Sequence, residues 1–276
     1  MSAPTDFHAI VTSTDDDPRV LLVAASQLPQ AVVAAAMTSG AVWLKTRHGI
    51  RRLRRRSAKL SVGDEIFLNY DPAVLAQSCP PAELVQDGGR WSVWDKPGGM
   101  RSQGSRWGDH TTLSRHAETH LLPQRDAFIV HRLDLAARGL MLLAHDKKAA
   151  AHLSKQFADR TVEKRYRAIV RGNFPASDNP QTYTGEIDGK AAHTQVWQLQ
   201  FDPSLNRTSL MVDIKTGRKH QIRRHLADAG FPIVGDRLYG SGDDEEDLCL
   251  YACLLAFDDP ATNERVKIER QPADWL

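Results

Sequence analysis

The chain predicts an α+β fold: a mostly antiparallel sheet with flanking helices, preceded by a small N-terminal α/β module. Three observations carry this. Extended apolar stretches recur at residues 128–130, 140–144, 162–170, 194–200, 208–214 and 248–257, against two clear helical stretches in the same region, 147–159 and 220–229. Neither a strict strand–helix–strand alternation, which would announce a parallel sheet, nor an internal repeat is visible. A length of 276 residues with 41% hydrophobic side chains suffices for one large core and one small one.

In chain order, residues 28–39 read as a helix closed by Gly40, the residue type that most easily takes the left-handed conformation past a helix end. Residues 41–44 read as a strand, 45–59 as a basic stretch, and 60–68 as a second extended segment. Tyr70-Asp71-Pro72 and Cys79-Pro80-Pro81 break both helix and strand, which places a domain boundary near residue 80: a module at 1–80 and a larger domain at 81–276. Residues 91–95 read as a strand, followed by a Lys96-Pro97-Gly98-Gly99-Met100 turn and a loop at 101–107 that contains glycine and serine. The apolar runs 128–130 and 140–144 are short buried strands, and the residues between them form a turn held by two rigid elements, where scaffolds commonly present catalytic groups. Asp146 is suited to cap the helix 147–159. The helix 220–229 carries Ile222 and Leu226 on one face and ends at Gly230.

Composition narrows the function classes. No apolar run approaches the roughly 18 residues needed to span a membrane, and the first residues lack the charged and apolar regions of a secretory signal. Three cysteines, Cys79, Cys249 and Cys253, make no disulfide framework, so a reducing, cytoplasmic setting is expected. The net charge is only +2, but its distribution is uneven. Residues 45–59 carry Lys45, Arg47, Arg51, Arg52, Arg54, Arg55, Arg56 and Lys59 without an acidic residue, whereas Asp243-Asp244-Glu245-Glu246-Asp247 gathers negative charge elsewhere. A basic run of this kind can track phosphates.

Three motifs carry the chemistry. The first is His131-Arg132-Leu133-Asp134 with Gly139-Leu140; the second runs from Lys164 through Tyr166 to Gly172. The third is Thr216-Gly217-Arg218-Lys219-His220-Gln221-Ile222-Arg223-Arg224-His225-Leu226, continued by Pro232-Ile233-Val234-Gly235-Asp236 and Tyr239-Gly240. In this order and spacing they resemble the RluA-type family of RNA pseudouridine synthases. Lys96-Pro97-Gly98-Gly99 is similar to a further turn of that family. The chain departs from the family pattern at Ala137-Arg138, where Thr-Ser usually precedes the glycine, so a hydroxyl that would brace the catalytic loop is missing. The N-terminal segment resembles a divergent S4-type RNA-binding module, with Gln30, Ala34 and Ala35 in place of the usual arginines of its first helix.

The resemblance implies a central mixed sheet with an RNA cleft across one face, and an isomerase that needs no cofactor and no metal. Asp134 would be the essential carboxylate; with an ordinary pKa of about 3.9 it is ionised at neutral pH, available to attack the ring or sugar carbon or to assist elimination at C2′. Arg223 would pair with it, Tyr166 would pack against the target base and handle a proton, and Arg132 would fill the space left by the flipped nucleotide. Lys164, two residues from Tyr166 on a strand, shares its face and would support the site or the RNA backbone. Arg51, Arg52, Arg54, Arg55 and Arg56 are the RNA-binding candidates of the N-terminal module. The implied partner is structured RNA, ribosomal or transfer, acted on by a monomer.

Rival patterns are weaker. His131-Arg132-Leu133-Asp134 lacks the kinase spacing and the glycine-rich loop that would go with it. His116-Ala117-Glu118-Thr119-His120 puts its glutamate third, where a zinc protease helix has it second. Cys249 and Cys253 have no second Cys/His pair at ligand spacing. The alternative from another class is an RNA-binding or RNA-remodelling protein that kept the fold and lost the reaction, for which Ala137-Arg138 is the supporting feature.

Overall fold

The structure is a computed structural model that describes residues 3–242, 245–272 and 275; Asp243 and Asp244 of the acidic run lie outside the described residues. The chain forms two compact units, one running through Cys79 and taking in Gln103–His116, the other comprising Pro80–Ser102 and the described residues from Ala117 onward.

In the first unit, β1 (Thr5–Ile10), α1 (Pro18–Ser26), α2 (Gln30–Thr38), β2 (Val42–Thr46), β3 (Gly49–Arg52), β4 (Glu65–Tyr70) and the short α3 (Pro72–Leu75) follow in order. The four strands make an antiparallel sheet in the order β1-β4-β2-β3. Its core is formed by Leu22, Val33, Met37, Leu44, Ile66 and Leu68, all at most 2% exposed. The expected helix at 28–39 is α2, and Gly40 takes the left-handed conformation just past its end, with φ 81°. β1 and α1 were not expected; α1 is nonetheless signalled by Asp17-Pro18, where the Asp17 carboxylate accepts from Arg19 N and the proline occupies the first turn.

Residues 81–276 do not form one unbroken domain, because residues 103–116 fold with the first unit. Physical contacts tie them there: Asp109 N–H donates to Ser39 O at 2.9 Å, and the Trp43 indole donates to Arg106 O at 3.0 Å. The Asp109 carboxylate also accepts from the guanidinium groups of Arg52 and Arg54.

The second unit contains β5 (Glu83–Asp87), β6 (Trp91–Lys96), the second half of α4 (Leu113–His120), β7 (Phe128–Ile129), β8 (Arg138–Ala144), α5 (Lys147–Ala158) and β9 (Glu163–Arg171). It continues with β10 (Gln181–Ile187), β11 (Lys190–Asp202), β12 (Arg207–Ile214), α6 (Gln221–Asp228), β13 (Leu250–Asp258) and β14 (Arg265–Glu269). The ten-stranded sheet runs β10-β11-β12-β9-β13-β8-β6-β5, with β14 on β13 and β7 on β8. Only β8 and β13 pair in parallel among the described strands. This is the mixed, mostly antiparallel α+β sheet that the sequence predicts.

β9 lies between β12 and β13, and its alternation buries Tyr166, Ala168 and Val170 on one face. Against the sheet, Ala149 and Leu153 of α5 pack with Val93, Leu140, Leu142 and Phe257. Asp146 caps α5 by accepting from Lys148 N and Ala149 N. β10 was not expected, since its exposed polar residues show no apolar stripe; the signal for it is Asp188-Gly189, both at positive φ, which is the two-residue hairpin turn joining β10 to β11. No single helix among the described residues is long and apolar enough to cross a membrane.

Candidate active site

Asp134 sits in the loop between β7 and β8, and the backbone on both sides of it is gripped by the turn that follows β6. Leu133 N–H donates to Ser102 Oγ at 3.0 Å, and the same hydroxyl donates to Leu133 O at 2.7 Å. One residue beyond Asp134, Leu135 O accepts from Gly99 N at 2.9 Å and from the Lys96 ammonium at 3.4 Å. Lys96 is fully buried and also donates to Pro97 O and Met100 O, both at 2.9 Å, so its charge is solvated by carbonyls. The loop without the Thr-Ser hydroxyls is therefore braced from the Lys96–Ser102 side. The sequence reading saw a turn here and assigned it no role.

The flanking residues are equally constrained. His131 accepts from Leu142 N at 2.9 Å on Nε2 and stacks on Phe157 with ring centroids 4.5 Å apart. Enclosure, helped by the Lys164 ammonium, pushes its imidazole down to about 3, so it is a neutral structural ring. Gly139 has φ 107°, and a Cβ there would stand 2.4 Å from Ala252 O. Only glycine allows the parallel pairing of β8 with β13 at this point.

Two side chains from the start of α6 face the Asp134 carboxylate. Arg223 Nη1 is 3.7 Å from Oδ2 and His220 Nε2 is 3.7 Å from Oδ1. Arg223 is thus beside Asp134, as expected, yet its shorter bonds go elsewhere: Nε and Nη2 donate to the two oxygens of Asp236 at 2.8 and 2.6 Å. That bidentate pair is buried, with 5% and 0% of the side chains exposed. Asp236 Oδ1 also accepts from Leu238 N and Tyr239 N, at 3.0 and 3.1 Å. Burial opposes ionisation of Asp236, but these donors outweigh it and hold the carboxyl below its ordinary value. The segment leading into α6 is fixed to β11 by Gln221, whose Oε1 accepts from Thr216 Oγ1 and Arg218 N and whose Nε2 donates to His193 O and Thr194 Oγ1.

Asp134, His220, Gln221 and Arg223 line a cavity of about 530 Å³, within the range of small-ligand pockets. Arg132, Lys164 and Tyr166 open onto the same cavity. Tyr166 is 7% exposed, and burial followed by the nearby Asp134 charge pushes its phenol well above the ordinary value, so it is a neutral hydrogen-bonding group at neutral pH. Lys164 Nζ lies 5.7 Å from the centre of the Phe157 ring, and burial pulls its ammonium below the ordinary value while Asp213 opposes this. Arg132 is exposed. Seven lysine or arginine side chains line the cavity and, among the described residues, a single carboxylate, Asp134. The arrangement sets one carboxylate among cations whose combined field attracts polyanion.

The N-terminal arginines divide into two groups. Arg52 is 3.0 Å from Asp109, donates to Ser105 O at 2.8 Å and lies 4.3 Å above the Trp43 ring; Arg54 also binds Asp109. Both are engaged inside their own unit. Arg51, Arg55, Arg56 and Lys59 are exposed, and Arg47, Arg51 and Lys59 line a groove of about 680 Å³ along the β2–β3 hairpin.

Sequence reasoning did not assign Ser102, Lys96, His220, Asp236 or Tyr239. The last three lay within the quoted motif and its continuation; the partners that give them their roles are contacts across the fold. Comparison with known proteins adds an independent line. A family model described as RNA pseudouridylate synthase matches residues 90–228. The chain is 31% identical over 210 residues to an uncharacterized RNA pseudouridine synthase of Aquifex aeolicus, covering 68% of this chain and 66% of that one. It is 31% identical over 212 residues to the dual-specificity RNA pseudouridine synthase RluA of Pasteurella multocida, covering 70% of this chain and 94% of the relative. Of two further curated relatives the chain spans 58% and 50% of the length. Human RNA pseudouridylate synthase domain containing 1 shares the fold, with a TM-score of 0.59 at 23% identity over 71% of this chain and 85% of that one.

Proposed function

This chain belongs to the RluA-type family of RNA pseudouridine synthases, and we propose that it isomerises uridine to pseudouridine in structured RNA, with Asp134 as the essential carboxylate. The observation that carries the reading is the placement of Asp134 as, among the described residues, the lone carboxylate on a cation-rimmed cavity, with Arg223 and His220 each 3.7 Å away.

In the reaction the N1–C1′ bond breaks, the uracil turns within the cavity, and a C5–C1′ bond forms. The proton on C5 leaves and N1 gains one, so atoms and electrons balance without a redox partner. Asp134, with Arg223 3.7 Å away, either adds to the substrate or removes a proton to drive elimination at C2′; both routes need an anionic oxygen beside the nucleoside. The neutral phenol of Tyr166 packs against the base and offers a hydrogen bond. Extraction of the uridine from its stack costs a few kcal/mol, and the exposed guanidinium of Arg132 is suited to fill the gap it leaves. Lys164 balances charge near the cavity. Arg51, Arg55, Arg56 and Lys59 on the N-terminal unit contact phosphates, which makes that unit an S4-like binding module.

Ribosomal and transfer RNA are the proposed targets; relatives carry the names dual-specificity RNA pseudouridine synthase RluA and ribosomal large subunit pseudouridine synthase D. The grip of Ser102 and Lys96 on the loop supports an active enzyme over an RNA-binding protein without catalysis, since Ala137-Arg138 does not leave the loop unbraced. The test is release of tritium from cellular RNA labelled at uracil C5, in the presence of a chelator. Release above background on unmodified RNA is expected, and none on any RNA would refute the proposal.

A further inference from the structure

His220 occupies an unusual position at the start of α6. Its backbone is left-handed, with φ 55°, at the N-cap of the helix, and its side chain makes no capping hydrogen bond. A non-glycine residue pays a steric cost in this region, and the usual gain from a capping side chain is forgone. What the geometry achieves is to aim the ring. Nδ1 lies 2.9 Å from the Tyr239 hydroxyl and Nε2 lies 3.7 Å from Asp134 Oδ1.

The neighbours select one tautomer. If Nδ1 carried the proton, the Nε2 lone pair would face the Asp134 carboxylate and the Tyr239 hydroxyl would lose its acceptor on the ring. If Nδ1 accepts from Tyr239 O–H, then Nε2–H points at Asp134 Oδ1, and both ends are favourable. Tyr239 is itself fixed: its N–H donates to Asp236 Oδ1 at 3.1 Å, and the Arg223 guanidinium lies 5.2 Å from its ring centre. Asp236 thereby anchors both arms that reach Asp134, one through Arg223 and one through Tyr239 and His220.

We propose that His220 is a second positioning residue for Asp134, held by Tyr239 in the tautomer that donates Nε2–H to Oδ1. This rests on the reading of Asp134 as the essential carboxylate. Arg223 takes Oδ2 and His220 takes Oδ1, so the carboxylate plane is set by two donors when the site closes on substrate and both contacts shorten. The charged and titratable groups that face the ring are Asp134, Asp236, Arg223, Lys219 and Tyr239. Burial, with the two cations, outweighs the carboxylates and lowers the imidazole from its ordinary value, so the neutral donor form persists through neutral pH.

The experiment measures steady-state kcat and KM on uridine-containing RNA for the full chain and for His220→Gln, His220→Leu and Tyr239→Phe. Gln and Leu impose the same left-handed backbone cost, but Gln retains an N–H donor near the Nε2 position. Loss of a hydrogen bond to a charged group predicts that His220→Leu lowers kcat by about ten- to a hundredfold with KM within about twofold. His220→Gln should stay within about threefold of the parent, and Tyr239→Phe should fall between them. Equal rates for Leu and the parent, an equal loss for Gln and Leu, or a loss confined to KM would overturn the proposal. Should His220→Leu fail to fold, Tyr239→Phe decides alone: an unchanged kcat refutes it. Asp134→Asn, run alongside, separates the two claims, because an active Asp134→Asn protein removes the underlying reading, whereas an inactive one with a normal His220→Leu removes only this proposal.

Discussion

Replacing Asp236 by Asn tests whether the buried pair behind the carboxylate organises the cavity. Asn keeps a carbonyl oxygen for the N–H groups of Leu238 and Tyr239, which lie 3.0 and 3.1 Å from Oδ1. The same oxygen can still accept from Arg223 Nη2 at 2.6 Å, but an NH₂ replaces Oδ2, so a donor meets Nε where the 2.8 Å bond now runs, and the negative charge opposite the guanidinium is gone. With the arginine side chain only 5% exposed, water cannot replace what is lost. Breaking one side of a buried pair costs about 3–5 kcal/mol. Asp134 stands close enough to take part of the orphaned charge, which favours the lower end, about 3 kcal/mol. At about 2–4 °C per kcal/mol for a domain of this size, Tm should fall by about 6–12 °C.

The pH dependence has a defined sign. Asp236 has a depressed carboxyl value in the folded protein, so its contribution is present above the unfolded value of about 4 and is lost as pH falls through the folded one. The difference in Tm between parent and Asp236→Asn should therefore be full at pH 7 and shrink in acid below about pH 4. Arg223, released from its anchor, swings toward Asp134, and kcat should drop by about ten- to a hundredfold. Thermal unfolding followed by circular dichroism across pH, with tritium release at saturating RNA, measures both. A Tm within about 2 °C of the parent at pH 7 together with an intact kcat would refute the anchor.

Three further outcomes are expected. Asp134→Asn should lower turnover by at least roughly a thousandfold while RNA binding in a filter assay is largely retained, and a variant keeping about a tenth of the rate would exclude Asp134 as the essential group. Ser102→Ala leaves Leu133 N–H and C=O without their buried partner, so kcat should fall by about tenfold and Ser102→Thr should restore it; an unchanged rate would show that the brace does not position the loop. Alanine at Arg51, Arg55, Arg56 and Lys59 together should flatten the salt dependence of RNA affinity by about 0.7–0.9 in log–log slope for each lost phosphate contact. Arg52→Ala and Arg54→Ala should instead lower Tm, and a slope unaltered by the fourfold change would leave the hairpin without a role in binding.

Much of the sheet was legible because its central strands are long and apolar, and a buried strand such as β13 reads as a continuous hydrophobic run whatever its partners. The edge was less so: β10 has one buried residue in seven, Ile187, and only its Asp188-Gly189 turn betrays it. The same division runs through the arginines at residues 51–56. A sequence counts cations along the chain, but Asp109, which takes two of them, lies more than fifty positions away. Local charge density therefore overstates how many arginines are available to phosphate.

The departure at Ala137-Arg138 shows why such distant partners matter for function. A local reading sees a missing hydroxyl and infers a loosened loop. Leu133 and Leu135 need hydrogen-bonding partners for their backbone groups, because an unpaired buried donor or acceptor costs about 1–3 kcal/mol, but that need does not specify which residue supplies them. Ser102 and Lys96 supply them here, 31 and 39 positions upstream. The backbone on both sides of the carboxylate is thus tied by hydrogen bonds from outside the loop. A change inside a catalytic motif is thus evidence of lost activity only when the fold fails to satisfy the same backbone groups from elsewhere, and in this chain it satisfies them.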